Sequence, residues 1–228
     1  MVEKKLANPG PLGLLGFGTT TILLNLHNAD IIPLSIVIIG MGVALGGLAQ
    51  LIAGIFEMKQ GNTFAGTAFI AYGAFWWSLV IIWMFAPAGL EADKISMGYY
   101  LLVWGVFTGF MFIGTLTHNR ITQIVFGSLT LLFILLALGD FTGNHVITLV
   151  AGYVGIFCGL LLSTVLLDRL LITNIIRQFS HSKINKIFTE NIYTCCKYFF
   201  FYYHHLHIED SLTALTIIDK VVLRGDLR

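Results

Sequence analysis

Charged residues are scarce in this sequence: Asp, Glu, Lys and Arg make up 11% of its 228 residues. Soluble domains carry about 25% charged residues, because a folded surface must be hydrated. A chain with less than half of that share has too little polar material to cover itself in water. Its hydrophobic residues, 57% of the chain, must therefore face lipid, and a soluble globular domain is excluded.

Catalytic signatures are also absent. The chain has no GxSxG elbow, no HExxH helix and no phosphate-binding loop with its lysine. The net charge of +1 comes without the clustered basic surface that nucleic-acid binding requires. We therefore expect a protein that is not an enzyme, needs no cofactor or metal, and has no nucleic-acid partner.

Cysteines are few, and their spacing predicts no disulfide framework: Cys158, Cys195 and Cys196 follow no regular pattern. A cleavable signal peptide is not expected either. Lys4 and Lys5 fit its basic start, but no short apolar region ends in a small-residue cleavage site. We expect the first apolar segment to remain in the mature protein.

Long apolar runs are what the sequence has instead. A helix crosses roughly 30 Å of hydrocarbon with about 20 apolar residues. Six segments qualify: Leu12–Leu26, Pro33–Phe56, Thr63–Phe85, Ser96–Leu116, Ile121–Leu138 and His145–Leu167. They are too long and too uniformly apolar for the alternation of a membrane barrel. The predicted fold is an all-α integral membrane protein with six transmembrane helices in a pore-containing bundle (residues 1–168), followed by a tail (residues 169–228).

The basic residues predict the orientation of this bundle, because Lys and Arg concentrate in cytoplasmic loops. An even number of spans places both termini on one side, which then carries Lys4, Lys5, Lys59, Arg120, Arg169 and Arg177. The other side has only Lys94, beside Asp30, Glu91, Asp93 and Asp140. Both termini are therefore predicted to be cytoplasmic.

Glycine is abundant, at 24 residues, and most of it lies within the spans. Small residues let helix backbones approach closely in lipid. Three glycine pairs with four-residue spacing predict a tightly packed bundle: Gly42 with Gly46, Gly105 with Gly109, and Gly155 with Gly159. Such pairs serve packing within a protomer or contacts between protomers, and the sequence does not choose between the two.

The tail differs in character from the spans. Cys195 and Cys196 precede an aromatic run, and His204, His205 and His207 follow it. Metal binding would need CxxC-type spacing in the usual structural zinc sites, which is not present. A segment at the membrane surface, or a disordered one, fits the composition better.

Ionisable residues lie only at the ends of the spans. A pump or strongly coupled symporter keeps a buried ionisable residue for its ion or proton. The absence of such residues from the middle of the spans favours a facilitative path or weak coupling at the membrane edge. The candidates for such proton-linked coupling are His27, Glu57, His118, Asp140 and His145. For each of them the alternative is an interfacial residue that simply faces water.

Polar uncharged residues form stripes on three helices, because residues three or four apart share a face. The stripes are Phe17, Thr21, Asn25 and Asn28; Gly46, Gln50, Gly54 and Glu57; and Gln123, Gly127 and Leu131. Such stripes fit a narrow wet path or interhelical hydrogen bonds equally well. Asn8 is placed to cap the first helix, whose N-terminal N–H groups we expect to offer donors to a carboxylate.

The start of the chain carries a family resemblance. Residues 8–14, NPGPLGL, resemble the NPAPLGL signature of the acetate uptake transporter family, with Gly10 in place of the signature alanine. Further segments resemble its bacterial succinate–acetate permeases: GFGTTTILLNLHNA (16–29), GGLAQLIAG (46–54), FEMKQGNTF (56–64), AYGAFW (71–76), WGVFT (104–108) and GTL (114–116). The resemblance covers residues 5–168, whereas similar permeases usually end soon after the sixth helix.

This resemblance implies a six-helix protomer in a hexamer, with one acetate path through each protomer in the cytoplasmic (inner) membrane. It implies a hydrophobic constriction of Phe17, Tyr72 and, in SLTLLF, Leu131. Asn25 and Gln50 match further polar family positions. The expected function is passage of acetate and related monocarboxylates, with succinate open. Two alternatives remain: a channel for neutral solutes such as urea or short amides, and a membrane protein without flux.

Overall fold

The computed structural model describes residues 7–181 and contains six long helices and no strand in that part of the chain. They are α1 (Gly10–Asn28), α2 (Ile36–Lys59), α3 (Thr63–Met84), α4 (Lys94–Gly114), α5 (Arg120–Thr142) and α6 (His145–His181). A short 3₁₀ turn, Thr115–Thr117, extends α4. The predicted all-α fold with six helices is confirmed. The cysteine and histidine clusters of the tail lie outside the described residues.

Polar side chains begin three of the helices, as the separators between the apolar runs predict. Asn62, Asp93 and Asn119 each accept a hydrogen bond from the backbone N–H three residues later, at 3.3, 2.7 and 2.9 Å respectively. Such bonds satisfy N–H groups that a helix start leaves without partners. Gly143 ends α5 in the left-handed conformation, with φ of 63°.

The largest boundary difference is at α6, which continues to His181 instead of ending at Leu167. Asp168 and Arg169 follow Leu167, and no Gly or Pro occurs before His181. Charged residues end a membrane span but do not break a helix; the residues that strongly disfavour a helix are Gly, because of its backbone entropy, and Pro, because it lacks an N–H.

Five helices, α2 to α6, are long and apolar enough to cross a membrane; α1 has the length, at 19 residues, but is less apolar. Its composition follows from its position, because α1 is enclosed by other helices rather than by lipid. Gly13 packs against Phe69 of α3, and Gly18 approaches the carbonyl of Gly159 in α6. On α4, by contrast, Val103 and Phe110 are 67% and 69% exposed, as expected for a lipid-facing surface.

The three glycine pairs pack within the protomer. A Cβ atom at Gly46 would lie 2.6 Å from the Trp76 ring, and one at Gly155 would overlap the Asn25 side chain. Gly105 faces Phe133 and Ile134 of α5. Of the two uses that the sequence left open, the structure therefore shows close packing between helices of one chain.

Candidate functional site

A cavity of about 170 Å³ lies at the end of the bundle where α1 and α3 begin and α2 and α4 end. Its walls combine apolar side chains with a few polar ones. The lining residues are Gly10, Leu14, Phe17, Glu57, Asn62, Phe64, Ala65, Ala68, Phe69, Tyr72, His118, Thr122, Val125, Phe126, Leu162, Val165 and Arg169. The cavity thus draws on all six helices or the turns that connect them.

The cavity opens at the helix ends and closes inside the bundle. Asn62, His118 and Arg169, which line its mouth, are exposed. Phe17 and Tyr72 are 5% and 1% exposed and form its floor. The mouth lies at the end of the bundle where α1 begins. The predicted orientation places this end on the cytoplasmic side.

The floor is an aromatic stack. The rings of Phe17 and Tyr72 are 4.8 Å apart between centroids, with planes inclined by 19°. The Tyr72 hydroxyl donates to Oγ1 of Thr108 at 3.1 Å, and this hydroxyl in turn donates to the carbonyl of Trp104 at 2.7 Å. Since Phe107 and Phe126 also lie against Tyr72, the ring is fixed both by packing and by its hydroxyl.

The third residue predicted for the constriction does not lie with this stack. Leu131 is 48% exposed and does not line the cavity, whereas Leu129 is 1% exposed and belongs to the same core as Phe17 and Tyr72. Two residues along a helix turn by about 200°, so the two leucines face opposite directions. A local motif match does not fix the rotation of α5, so the identity of the third constriction residue stays a prediction, for which Leu129 is an alternative to Leu131.

Glu57 is the carboxylate inside the mouth, and it is only 5% exposed. Its Oε2 accepts a hydrogen bond of 2.6 Å from the Asn62 side chain. Gly10 leaves room beside it: a Cβ atom there would lie 3.2 Å from Oε1 of Glu57 and 3.3 Å from a guanidinium nitrogen of Arg169. The absence of a side chain at Gly10 therefore lets these two charged groups approach the same point.

The start of α1 does not offer the free donors expected from the sequence. Asn8 accepts a hydrogen bond from the Gly10 N–H at 3.0 Å. The N–H groups of Leu12 and Gly13 donate to the carbonyl of Pro9 at 3.0 and 3.3 Å, and Pro11 has no N–H. The first turn satisfies its own donors, so this helix start leaves no N–H group for a carboxylate.

Polar side chains deeper in the bundle fall into two groups. Asn25 donates to the Thr21 carbonyl at 2.8 Å and accepts from Asn28 at 3.0 Å, so its amide bonds are made within α1. Gln50 is fully buried, and neither its oxygen nor its nitrogen has a hydrogen-bond partner in the described part of the chain; the same holds for the indole nitrogen of Trp76. Buried polar atoms normally have partners, which makes these two residues candidates for contact with solute or water.

Gln50 follows a π-helical segment, Gly42–Ala49, within α2. Such segments are rare and occur frequently at functional sites. Gly42 and Gly46 lie against the Trp76 ring in this segment. The wider turn of the π-helical segment, and the absence of side chains at its glycines, bring α3 close to the part of α2 that precedes Gln50.

The other predicted residues lie away from the cavity. Gln123 donates to the carbonyls of Leu116 and His118, at 3.3 and 2.9 Å, and thereby holds the turn between α4 and α5. Three predicted residues lie at the opposite end of the bundle: His27 is close to the Ile32 carbonyl, Asp140 is on the last turns of α5, and His145 pairs with Asp30 at 3.0 Å. Of the edge residues, only Glu57 and His118 line the cavity.

Most of the other lining residues were not predicted from the sequence, among them Asn62, Phe126 and Arg169. The signal for Arg169 was present, because Leu162, Val165 and Arg169 have helical spacing and share one face of α6. Within residues 7–181, no group of three or more His, Cys, Asp or Glu side chains is placed to hold a metal ion.

Comparisons with known proteins agree with this architecture. Residues 1–174 match the model of the GPR1/FUN34/yaaH family. The succinate-acetate/proton symporter SatP of Escherichia coli K12 is 53% identical over 161 residues, which cover 70% of this chain and 86% of that protein. Acetate permease A of Emericella nidulans is 37% identical over 152 residues, 60% of this chain and 50% of that one. The solved structure of the bacterial acetate channel SatP superposes with a TM-score of 0.72 at 48% identity, covering 79% of this chain and 99% of that chain.

Proposed function

This chain belongs to the GPR1/FUN34/yaaH family, and we propose that it passes acetate and related small monocarboxylates across a membrane through the cavity of each protomer. Transport, not catalysis, is the activity named for its relatives, as symporter, permease and channel. The multi-pass helical bundle supplies the spanning structure. The inner or plasma membrane is its proposed location, with both termini in the cytoplasm.

The observation that carries this proposal is the closed aromatic floor of a small cavity. The cavity of about 170 Å³ has room for one small acid together with several water molecules. The stacked rings of Phe17 and Tyr72 then require the solute to lose most of its remaining water. Size and dehydration together favour two-carbon and three-carbon acids.

We assign the constriction to Phe17, Tyr72 and Leu129. All three are buried in one core, and Leu129 replaces Leu131 in this role because it faces that core. Gln50 provides polar contact for the solute inside the bundle, since its amide makes no hydrogen bond with the described residues. Thr21 and Asn25 form the adjacent polar lining on α1.

Two residues at the mouth are suited to proton exchange with the solute: Glu57 and His118 both line the cavity. His27 and Asp140 lack this placement. The hexamer is also proposed: each protomer would keep its own path, and part of the exposed apolar surface of the bundle would contact neighbouring protomers instead of lipid.

The test is uptake of labelled acetate into liposomes that contain the purified full-length protein, at pH 7 and with or without a pH gradient. This pH is well above a carboxyl pKa of about 4, which keeps leakage of neutral acid small. Uptake above that of empty liposomes, suppressed by unlabelled acetate and not by urea, supports the proposal. Suppression by urea would indicate the neutral-solute channel instead. No uptake by folded, inserted protein would refute transport of acetate.

A further inference from the structure

Arg169 is the only Lys or Arg among the residues that line the cavity in the described part of the chain. It lies on α6, on the same face as Leu162 and Val165, and its side chain is exposed at the mouth. A carboxylate that arrives at this mouth therefore meets one permanently charged cation.

The backbone donors at the start of α1 do not replace this cation. Gly10 is the first residue of α1, and the N–H groups of this helix start already donate to Asn8 and Pro9. The side chain of Asn62, which begins α3, donates to Glu57 and accepts from Ala65. Neither of these two groups carries a positive charge, whereas the guanidinium of Arg169 does.

Glu57 lies beside Arg169 and is held in place. Its Oε1 and a guanidinium nitrogen of Arg169 lie within 3.2 and 3.3 Å of the same point, where a Cβ atom of Gly10 would be. Asn62 anchors the other carboxylate oxygen at 2.6 Å. A fixed carboxylate next to the guanidinium competes with any incoming carboxylate for it.

We propose that Arg169 captures the carboxylate of the solute at the mouth, in competition with Glu57, before the solute reaches Phe17 and Tyr72. A guanidinium presents paired donors that match both carboxylate oxygens. Competition from Glu57 keeps the binding weak enough for release, a requirement for conduction. This inference rests on the proposed acetate passage and names its specificity-determining residue.

The experiment measures exchange of labelled acetate at equal concentrations inside and outside liposomes, which makes the result independent of protein orientation. Arg169→Gln is expected to raise the half-saturating acetate concentration about tenfold, equivalent to 1.4 kcal/mol. Arg169→Lys is expected to raise it about threefold, because the charge remains and the paired donors are lost. Glu57→Gln is expected to lower it, because the competing charge is removed.

Arg120→Gln is the matched control. Arg120 is an exposed arginine at the start of α5, near the same end of the bundle, and it does not line the cavity. We expect this variant to keep the wild-type half-saturating concentration. Equal effects of Arg169→Gln and Arg120→Gln, in a wild-type protein that exchanges acetate, would overturn the capture role and leave the proposed function intact. A rise in Glu57→Gln would overturn the competition, and no exchange by the wild type would overturn both proposals.

Discussion

The position of the constriction can be tested with two leucines that lie two residues apart on α5. Leu129 is 1% exposed and Leu131 is 48% exposed, so the same substitution to Ala changes the interior in one case and the outer surface in the other. The two variants have identical composition. They differ only in the face of the helix that loses the side chain.

The expected magnitude follows from the size of an alkyl group in an apolar pocket. One methylene changes selectivity by about 1–3 kcal/mol, or 10-fold to 200-fold. Leu129→Ala should therefore raise the transport rate of butyrate relative to acetate by about tenfold or more. Leu131→Ala should leave this ratio unchanged, because it removes no atom from the core that contains Phe17 and Tyr72.

The assay compares uptake of labelled acetate, propionate and butyrate into liposomes at one pH, with the amount of inserted protein measured for each variant. Because truncation of a buried Leu costs about 2–5 kcal/mol of stability, thermal unfolding in detergent identifies protein that has lost its fold. A folded Leu129→Ala with wild-type selectivity, or a Leu131→Ala that admits butyrate, would refute the assignment.

Three further substitutions test individual contacts. Gln50→Leu should reduce acetate uptake without lowering thermal stability, because Gln50 makes no hydrogen bond with the described residues; Gln123→Leu, which loses two bonds at a turn, should instead lower stability. Gly46→Ala should lower the free energy of unfolding by about 1–3 kcal/mol, since its methyl group meets a Trp ring at 2.6 Å; Gly109→Ala, whose nearest neighbour is at 3.8 Å, is the tolerated control in the same thermal assay. Tyr72→Phe removes the bond to Thr108 and should lower stability by about 1 kcal/mol while retaining the size limit in the uptake assay.

The six helices could be predicted because membrane insertion leaves a strong one-dimensional signal. The length of each apolar run predicts one membrane-spanning helix. Residues such as Asn62 and Asn119, which cap the next helix, also interrupt the apolar runs. The prediction placed the start of α3 at Thr63, where the structure has it. The continuation of α6 to His181 was missed because lipid contact, not helix propensity, defines a span.

The site was predicted less completely, because it depends on rotation and on tertiary contacts. Phe17 and Tyr72 were placed together by family resemblance, and the structure stacks them. A motif specifies the neighbourhood of a residue and not the direction of its side chain, which is why we propose Leu129 rather than Leu131 for the constriction. The donors of α1 were expected to be free because the hydrogen bonds of Asn8 and Pro9 cannot be counted from the sequence. In the sequence, Arg169 indicated only the orientation of the bundle in the membrane.

The distribution of charge in the path also bears on the two descriptions given to SatP, a proton symporter and a channel. Charged groups lie at the mouth, as Glu57 and Arg169, while the floor consists of Phe17 and Tyr72. A bare carboxylate is strongly disfavoured in such an apolar ring. Acetate that takes a proton at the mouth and crosses as the neutral acid moves one proton per acetate through a passive path, so both descriptions would then fit one protein.

We expect the membrane potential to have no effect on acetate flux, because the neutral acid carries no charge across the ring. Anion conduction would respond strongly, since one elementary charge gains about 2.3 kcal/mol per 100 mV. The measurement imposes a potential with a potassium gradient and valinomycin at equal pH on both sides of the liposome membrane. A rate that is independent of the potential, yet rises with an inward pH gradient, supports crossing as the acid. A rate that follows the potential would show that the anion itself crosses the aromatic ring, and the polar groups around Gln50 would then have to compensate its charge.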